Sequence, residues 1–173
     1  VSLNNFLSYK LARAKRLGNR VALIEIDLDN FSAVNDARGQ SAGDTALRIL
    51  GQRLREMLGD GEFAARAGGD EFVAVKRFSE DRDLMHFLRR IEDALGLPID
   101  LGSGDGVALT ARMGVAVYPK DGDTAERLTA NAQLALHRAE DDPLHPVCFY
   151  EAAMDERARA RAALARDLKC AAE

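Results

Sequence analysis

The chain has 173 residues, 47% of them hydrophobic, with 24 Lys and Arg against 28 Asp and Glu for a net charge of −4. That length and composition suit one globular domain with a real core, and argue against a disordered chain. The near balance of charge argues against a nucleic-acid partner held by a basic surface, and no apolar run or leader points to a membrane contact.

Leu3, Leu7, Leu11, Ala14 and Leu17 recur at helical spacing, and Gly18-Asn19 ends that helix. Residues 20–28 form a nearly continuous apolar run, the pattern of a strand buried on both faces, with Asp27 and Asp29 at its acidic end. A short helix is expected over 30–37, with Gly39 and Gly43 bracketing a turn. A longer helix follows, burying Leu47, Leu50, Leu54 and Leu58. Residues 62–67 and 71–77 read as a hairpin around Gly68-Gly69. Ser79 is expected to cap a helix running to about Leu95 with Leu84, Phe87, Leu88 and Ile91 inward. Residues 98–106 read as a loop or small hairpin, and 107–118 as a strand stopped by Pro119. Asp123-Thr-Ala-Glu126 is a capping box, opening a helix striped with Leu128, Ala132, Ala135, Leu136 and Ala139. A last strand covers 147–150, and the Ala/Arg-rich tail from Glu151 reads as a long helix. Helices alternating with strands, one pair of them antiparallel, predict an α/β fold with a mixed central sheet. Residues 1–150 form the predicted domain and 151–173 the helix that leaves it. The lone cysteines, Cys148 and Cys170, read as free thiols in a reducing cytoplasm, with a disulfide the lesser alternative. A start at Val1 rather than Met reads as a piece of a longer chain.

The candidate chemistry sits on residues 66–76, Arg-Ala-Gly-Gly-Asp-Glu-Phe-Val-Ala-Val-Lys. Gly68 and Gly69 allow a tight turn with nothing to block a ligand, and Asp70 and Glu71 follow at once. Ligand sites in α/β sheets gather at strand carboxyl ends, where Asp27 lies. If the first strand and the hairpin are neighbours, Asp27 and Asp70 converge beside a helix N-terminus at Asn30 to Ser32. Those are the elements of a Mg²⁺–phosphate site. The rival reading makes Asp27 and Asp29 a loop start and helix cap, and Gly68-Gly69 a plain turn.

Gly68-Gly69-Asp70-Glu71-Phe72 resembles the signature of the GGDEF family, the diguanylate cyclases. The surroundings agree in order and spacing. Residues 24–31, Ile-Glu-Ile-Asp-Leu-Asp-Asn-Phe, are similar to the family's first strand and turn. Val34-Asn-Asp-Ala-Arg-Gly39 with Ala42-Gly43-Asp44 is similar to its second motif. Residues 109–119 are similar to its late strand. The likeness covers residues 1 to about 150. It implies a sheet of about five strands resembling the nucleotidyl cyclase and polymerase palm. It also implies condensation of two GTP to cyclic di-GMP and two pyrophosphates, with two such domains face to face as a homodimer. Carried over by position, Asp27, Asp70 and the Leu28 carbonyl become ligands of Mg²⁺ or Mn²⁺. Glu71 becomes the residue that supports the metals or helps deprotonate the 3′-hydroxyl. Asn35 and Asp44 become guanine readers, with Gly68, Gly69, Asn30, Phe31 and Ser32 lining the substrate. Asp44 is also a good helix cap in Ser41-Ala-Gly-Asp44.

Departures from the family pattern bear on activity. Its late helix reads Arg-Ala-Asp near the start and ends in Ala-Lys with an Arg four positions on. Here Asn131-Ala132-Gln133, Ala139-Glu140 and Leu144 take those places, and Ser32 stands where a Lys is common. Like charge at Glu140 opposes a polyphosphate, so the expectation is GTP and Mg²⁺ binding with weakened turnover. The alternative is an inactive GTP-binding regulatory domain controlling an adjacent phosphodiesterase domain of the EAL type. The tail resembles the helix that leads to such a domain. The family's feedback site, Arg-x-x-Asp, reads Gly59 and Glu62 here, and its opening motif is absent before Val1.

Overall fold

The computed structural model describes residues 3–102 and 106–151; the predicted tail helix and Cys170 lie outside them. Seven strands and five helices are present among these residues. They run α1 (Leu3–Leu17), β1 (Arg20–Leu28), α2 (Phe31–Arg38), α3 (Gln40–Met57), β2 (Glu62–Gly68), β3 (Glu71–Phe78) and α4 (Asp81–Gly96). β4 (Ile99–Asp100), β5 (Gly106–Val107), β6 (Ala111–Tyr118), α5 (Ala125–Glu140) and β7 (Val147–Phe149) complete them. Five strands form one mixed sheet in the order β2-β3-β1-β6-β7; β4 and β5 make a separate hairpin. β1 is central and antiparallel to both β3 and β6, while β6 and β7 run parallel.

Alternation along the strands sorts the core into two layers. Ala22, Ile24, Ile26 and Leu28 of β1 join Phe72 and Ala74 of β3, meeting Leu50, Leu54, Phe87 and Ile91 from α3 and α4. Val21 and Leu23 of β1 join Val73 and Val75 on the opposite face, meeting Leu7, Leu11, Leu128 and Ala132 from α1 and α5. The small-residue stripe of α5 exists because its backbone rests on β6. A Cβ added to Gly114 would come within 2.2 Å of the Leu136 nitrogen and 2.3 Å of the Ala132 oxygen.

Several element ends differ from expectation. Gly39 alone, at φ 90°, turns α2 into α3. α3 starts at the next residue, so Gly43 lies inside the helix and Asp44 caps nothing. Glu80, not Ser79, occupies the N-cap of α4, without a side-chain cap; the Ser79 carbonyl accepts from Arg20 instead, at 2.7 Å. The cap of α5 moves from Asp123 to Thr124, whose hydroxyl accepts from the Arg127 amide. Val107 belongs to the small hairpin, and the long strand begins at Ala111. Asn131 is spent structurally, donating to the Asp121 carbonyl at 2.6 Å.

Glu62, at the position of the lost feedback carboxylate, is bound internally. Its carboxylate accepts from Lys76 and the Gly59 amide, each at 2.7 Å, and is forked by Arg90 of α4. Burial alone would raise its pKa, but the hydrogen bonds from Arg90, Lys76 and Gly59 hold it down at about 2. Replacing Glu62 with Gln should lower stability by about 1–2 kcal/mol, because it removes a charge-assisted fork whose Arg90 partner is 40% exposed and therefore partly screened by water. Denaturant melts of both proteins measure this. The difference should be full above pH 4.5 and shrink as pH falls toward 2, since a depressed carboxylate stabilises only while ionised.

Candidate functional site

The antiparallel ladder decides which acids meet. Register pairs Asp27 with Glu71 on one side and with Arg112 on the other. The turn between β2 and β3 then brings Asp70 alongside, with the Leu28 amide donating to the Asp70 carbonyl at 3.3 Å. Gly69 takes φ 50°, and an added Cβ at Gly68 or Gly69 would have no heavy atom within 4 Å, leaving their face open. Arg66 closes the turn by donating to the Gly69 carbonyl at 2.8 Å. Asp27, Asp70 and Glu71 thus lie at the same end of the sheet, with Asp27 and Glu71 cross-strand neighbours.

Asn30, left-handed at φ 57°, begins α2 without a side-chain cap. Phe31 is buried, while Ser32 is exposed. Asn35 lies on α2 and Asp44 on α3, either side of the Gly39 corner. Asp44 is exposed. The Oδ1 atom of Asn35 is buried with no hydrogen-bond donor.

Glu140, the last residue of α5, lies close to Asp27. Its side chain reaches hydrogen-bonding range of Asp27. Burial first, then this Glu140 contact, then the charges of Asp70, Glu140 and Glu71, push Asp27 up to about 7. Glu25, two residues back on the same face of β1, is also buried and is raised to about 7 by burial and then by Glu71. This excess of carboxylate needs a proton or a cation. Among the described residues no three acidic, His or Cys side chains are drawn together closely enough to cage a metal by themselves. Two carboxylates with phosphate oxygens and water as the remaining ligands is the arrangement Mg²⁺ favours, so Asp27 and Asp70 fit that ion as a substrate-completed pair. Leu144 is 81% exposed and contributes no charge.

Arg112 was not singled out from the sequence. Its Nε contacts Asp29 at 3.2 Å, and its Nη1 donates to the carbonyls of Ala139 at 2.9 Å and Asp142 at 2.6 Å. It therefore ties the β1–α2 loop to the C-terminal end of α5, where a cation suits the helix dipole. Thr110 also donates to Asp29, at 2.9 Å. The signal in the sequence was a cation on β6 in register with an acidic strand end.

Asp27 and Glu25 carry a second stability prediction. A carboxyl raised in the fold stabilises fully below its ordinary value and loses that contribution as pH rises toward about 7. Glu62 acts oppositely at the acid end. The metal-free protein should melt highest near pH 5 and progressively lower toward pH 8. Asp27→Asn should flatten that alkaline decline, and a decline unchanged in this variant would contradict the assignment.

Residues 1–143 match the family model described as diguanylate cyclase, GGDEF domain. A signaling protein of Caulobacter vibrioides is 38% identical over 170 residues, 97% of this chain and 21% of that protein. The bifunctional diguanylate cyclase/cyclic di-GMP phosphodiesterase MucR of Pseudomonas aeruginosa is 33% identical over 171 residues, 99% of this chain and 25% of MucR. The chain thus spans a quarter or less of these relatives. The crystal structure of the GGDEF domain of TpbB from Pseudomonas aeruginosa superposes with a TM-score of 0.80 at 30% identity, covering 86% of this chain and 92% of that one. The mixed five-stranded sheet agrees with these matches, and the chain belongs to the GGDEF family of cyclic di-GMP signalling, the diguanylate cyclase class.

Proposed function

We propose that this domain binds GTP with Mg²⁺ and, facing a second copy, forms cyclic di-GMP slowly. The observation that carries the reading is the convergence of Asp27, Asp70 and Glu71 at one strand end, beside an α2–α3 corner holding Asn35 and Asp44. Asp27 and Asp70 would hold the ion, which neutralises phosphate charge when bound. The open glycine turn admits the triphosphate, and the amide and carboxylate at the corner suit the donor-rich edge of guanine. Each 3′-hydroxyl attacks the α-phosphorus of the opposing nucleotide, forming a phosphodiester and releasing pyrophosphate. Glu71, exposed and opposite Asp27, would take the hydroxyl proton.

Glu140 supports the slow part of the reading. It brings a negative charge to the carboxylate that must take the cation, and it supplies none of the positive charge that stabilises a phosphoryl transition state. In the whole protein the domain is proposed to act beside a phosphodiesterase domain of the EAL type, as the bifunctional relative MucR combines the two activities named for it.

The test is one sample assayed twice, for Mg²⁺-dependent GTP binding and for cyclic di-GMP. Binding in the micromolar range with low product is expected. Asp70→Ala should abolish the Mg²⁺ dependence of binding. The double change Glu140→Lys with Leu144→Arg should raise product formation by about tenfold or more, through charge-assisted phosphate contacts. A pair of restored cations that leaves the rate unchanged would rule out Glu140 as the brake.

A further inference from the structure

We propose that Gly43 is the positioning residue that seats Asn35 for base recognition; the inference rests on the nucleotide reading above and deepens it. The position is a helix interior, where glycine is the poorest choice after proline and alanine the best. Its backbone is helical, so no special torsion calls for glycine. What it provides is space. A Cβ there would lie 1.7 Å from Asn35 Oδ1, 2.9 Å from Asn35 Cγ and 3.2 Å from the Phe31 ring. The first two contacts are impossible and the third is tight.

The Asn35 amide is therefore lodged in a notch that exists only because Gly43 lacks a side chain. The hydrogen on the Gly43 Cα points at Oδ1, a weak C–H···O contact standing in for the donor this buried oxygen otherwise lacks. The amide is planar, so fixing its oxygen also fixes its nitrogen. Asp44 follows Gly43 directly on α3, and the backbone of α2 is tied to the corner by the Gly39 amide donating to the Asn35 carbonyl at 2.8 Å. One notch thus fixes the relation between the two groups proposed to read guanine.

The obstacle to a Cβ is the end of a rotatable side chain, not backbone. Gly43→Ala should therefore leave the fold intact, with a melting temperature equal to the parent or higher, while Asn35 is expelled from its seat. Four proteins decide this: the parent, Gly43→Ala, Asn35→Ala and the double variant, each titrated with GTP and with ATP in Mg²⁺ and each melted. Gly43→Ala is expected to lose about tenfold or more in GTP affinity, with ATP affinity unchanged, since ATP shares the triphosphate and lacks the guanine edge. The double variant is expected to bind GTP no more weakly than Asn35→Ala, because the effect of Gly43 passes through Asn35. It should also melt no lower than Asn35→Ala, because truncating Asn35 empties the notch. A Gly43→Ala protein that binds GTP as the parent does overturns the inference. So does a double variant whose loss is the product of the two single losses, or one that melts below Asn35→Ala. A parent that fails to bind GTP overturns the nucleotide reading itself, and this inference with it.

Discussion

The antiparallel pairing of β1 with β3 is the constraint from which the site follows. Its register sets Asp27 opposite Glu71, and the turn that starts β3 carries Asp70. Shift that register by one residue and Asp27 exchanges faces with Ile26, burying a carboxylate among Phe72 and Leu50. The apolar alternation of β1 forbids that slip, since both faces of the strand are covered by helices. Core packing and acid placement are one property of the same ladder.

Gathering those carboxylates raises an electrostatic problem that the surrounding elements answer unevenly. Arg112 compensates Asp29 and holds the end of α5 in place. Among the described residues no cation pairs with Asp27 in this way, and Glu140 adds to its burden. The neighbourhood is therefore held at a high cost in charge that a cation would relieve. Glu62 shows the contrasting solution, a buried carboxylate fully paired with Arg90, Lys76 and a backbone amide. The first arrangement leaves charge uncompensated and the second pairs it fully.

Much of the fold was legible in the chain. The continuous apolar run of β1, the stripe of α5 and the glycine hairpin each announced an element whose type and place agree with the structure. The misses are at ends and caps. Ser79, Asp123 and the segment from Ser41 to Asp44 all carry good capping chemistry, yet Glu80, Thr124 and Gly39 occupy the N-caps. A cap is selected by where the helix axis must start to dock on the sheet, and docking is a long-range matter. Gly43 looks like turn punctuation in the sequence for the same reason: local preference sees a glycine, whereas only packing sees the Asn35 side chain against it.

By itself, the sequence determined the family-bearing turn, the alternation of helix and strand, and the identity of the acids at the end of β1, because these depend on residue type and short spacing. It also showed that Lys and Arg are replaced by Glu140 and Leu144. Only the tertiary structure decided that Glu140 reaches Asp27, that Arg112 joins Asp29 to α5, and that Glu62 is consumed by Arg90. Those contacts join residues between 27 and 113 positions apart. Their partners are chosen by strand order and helix docking, which no local pattern encodes.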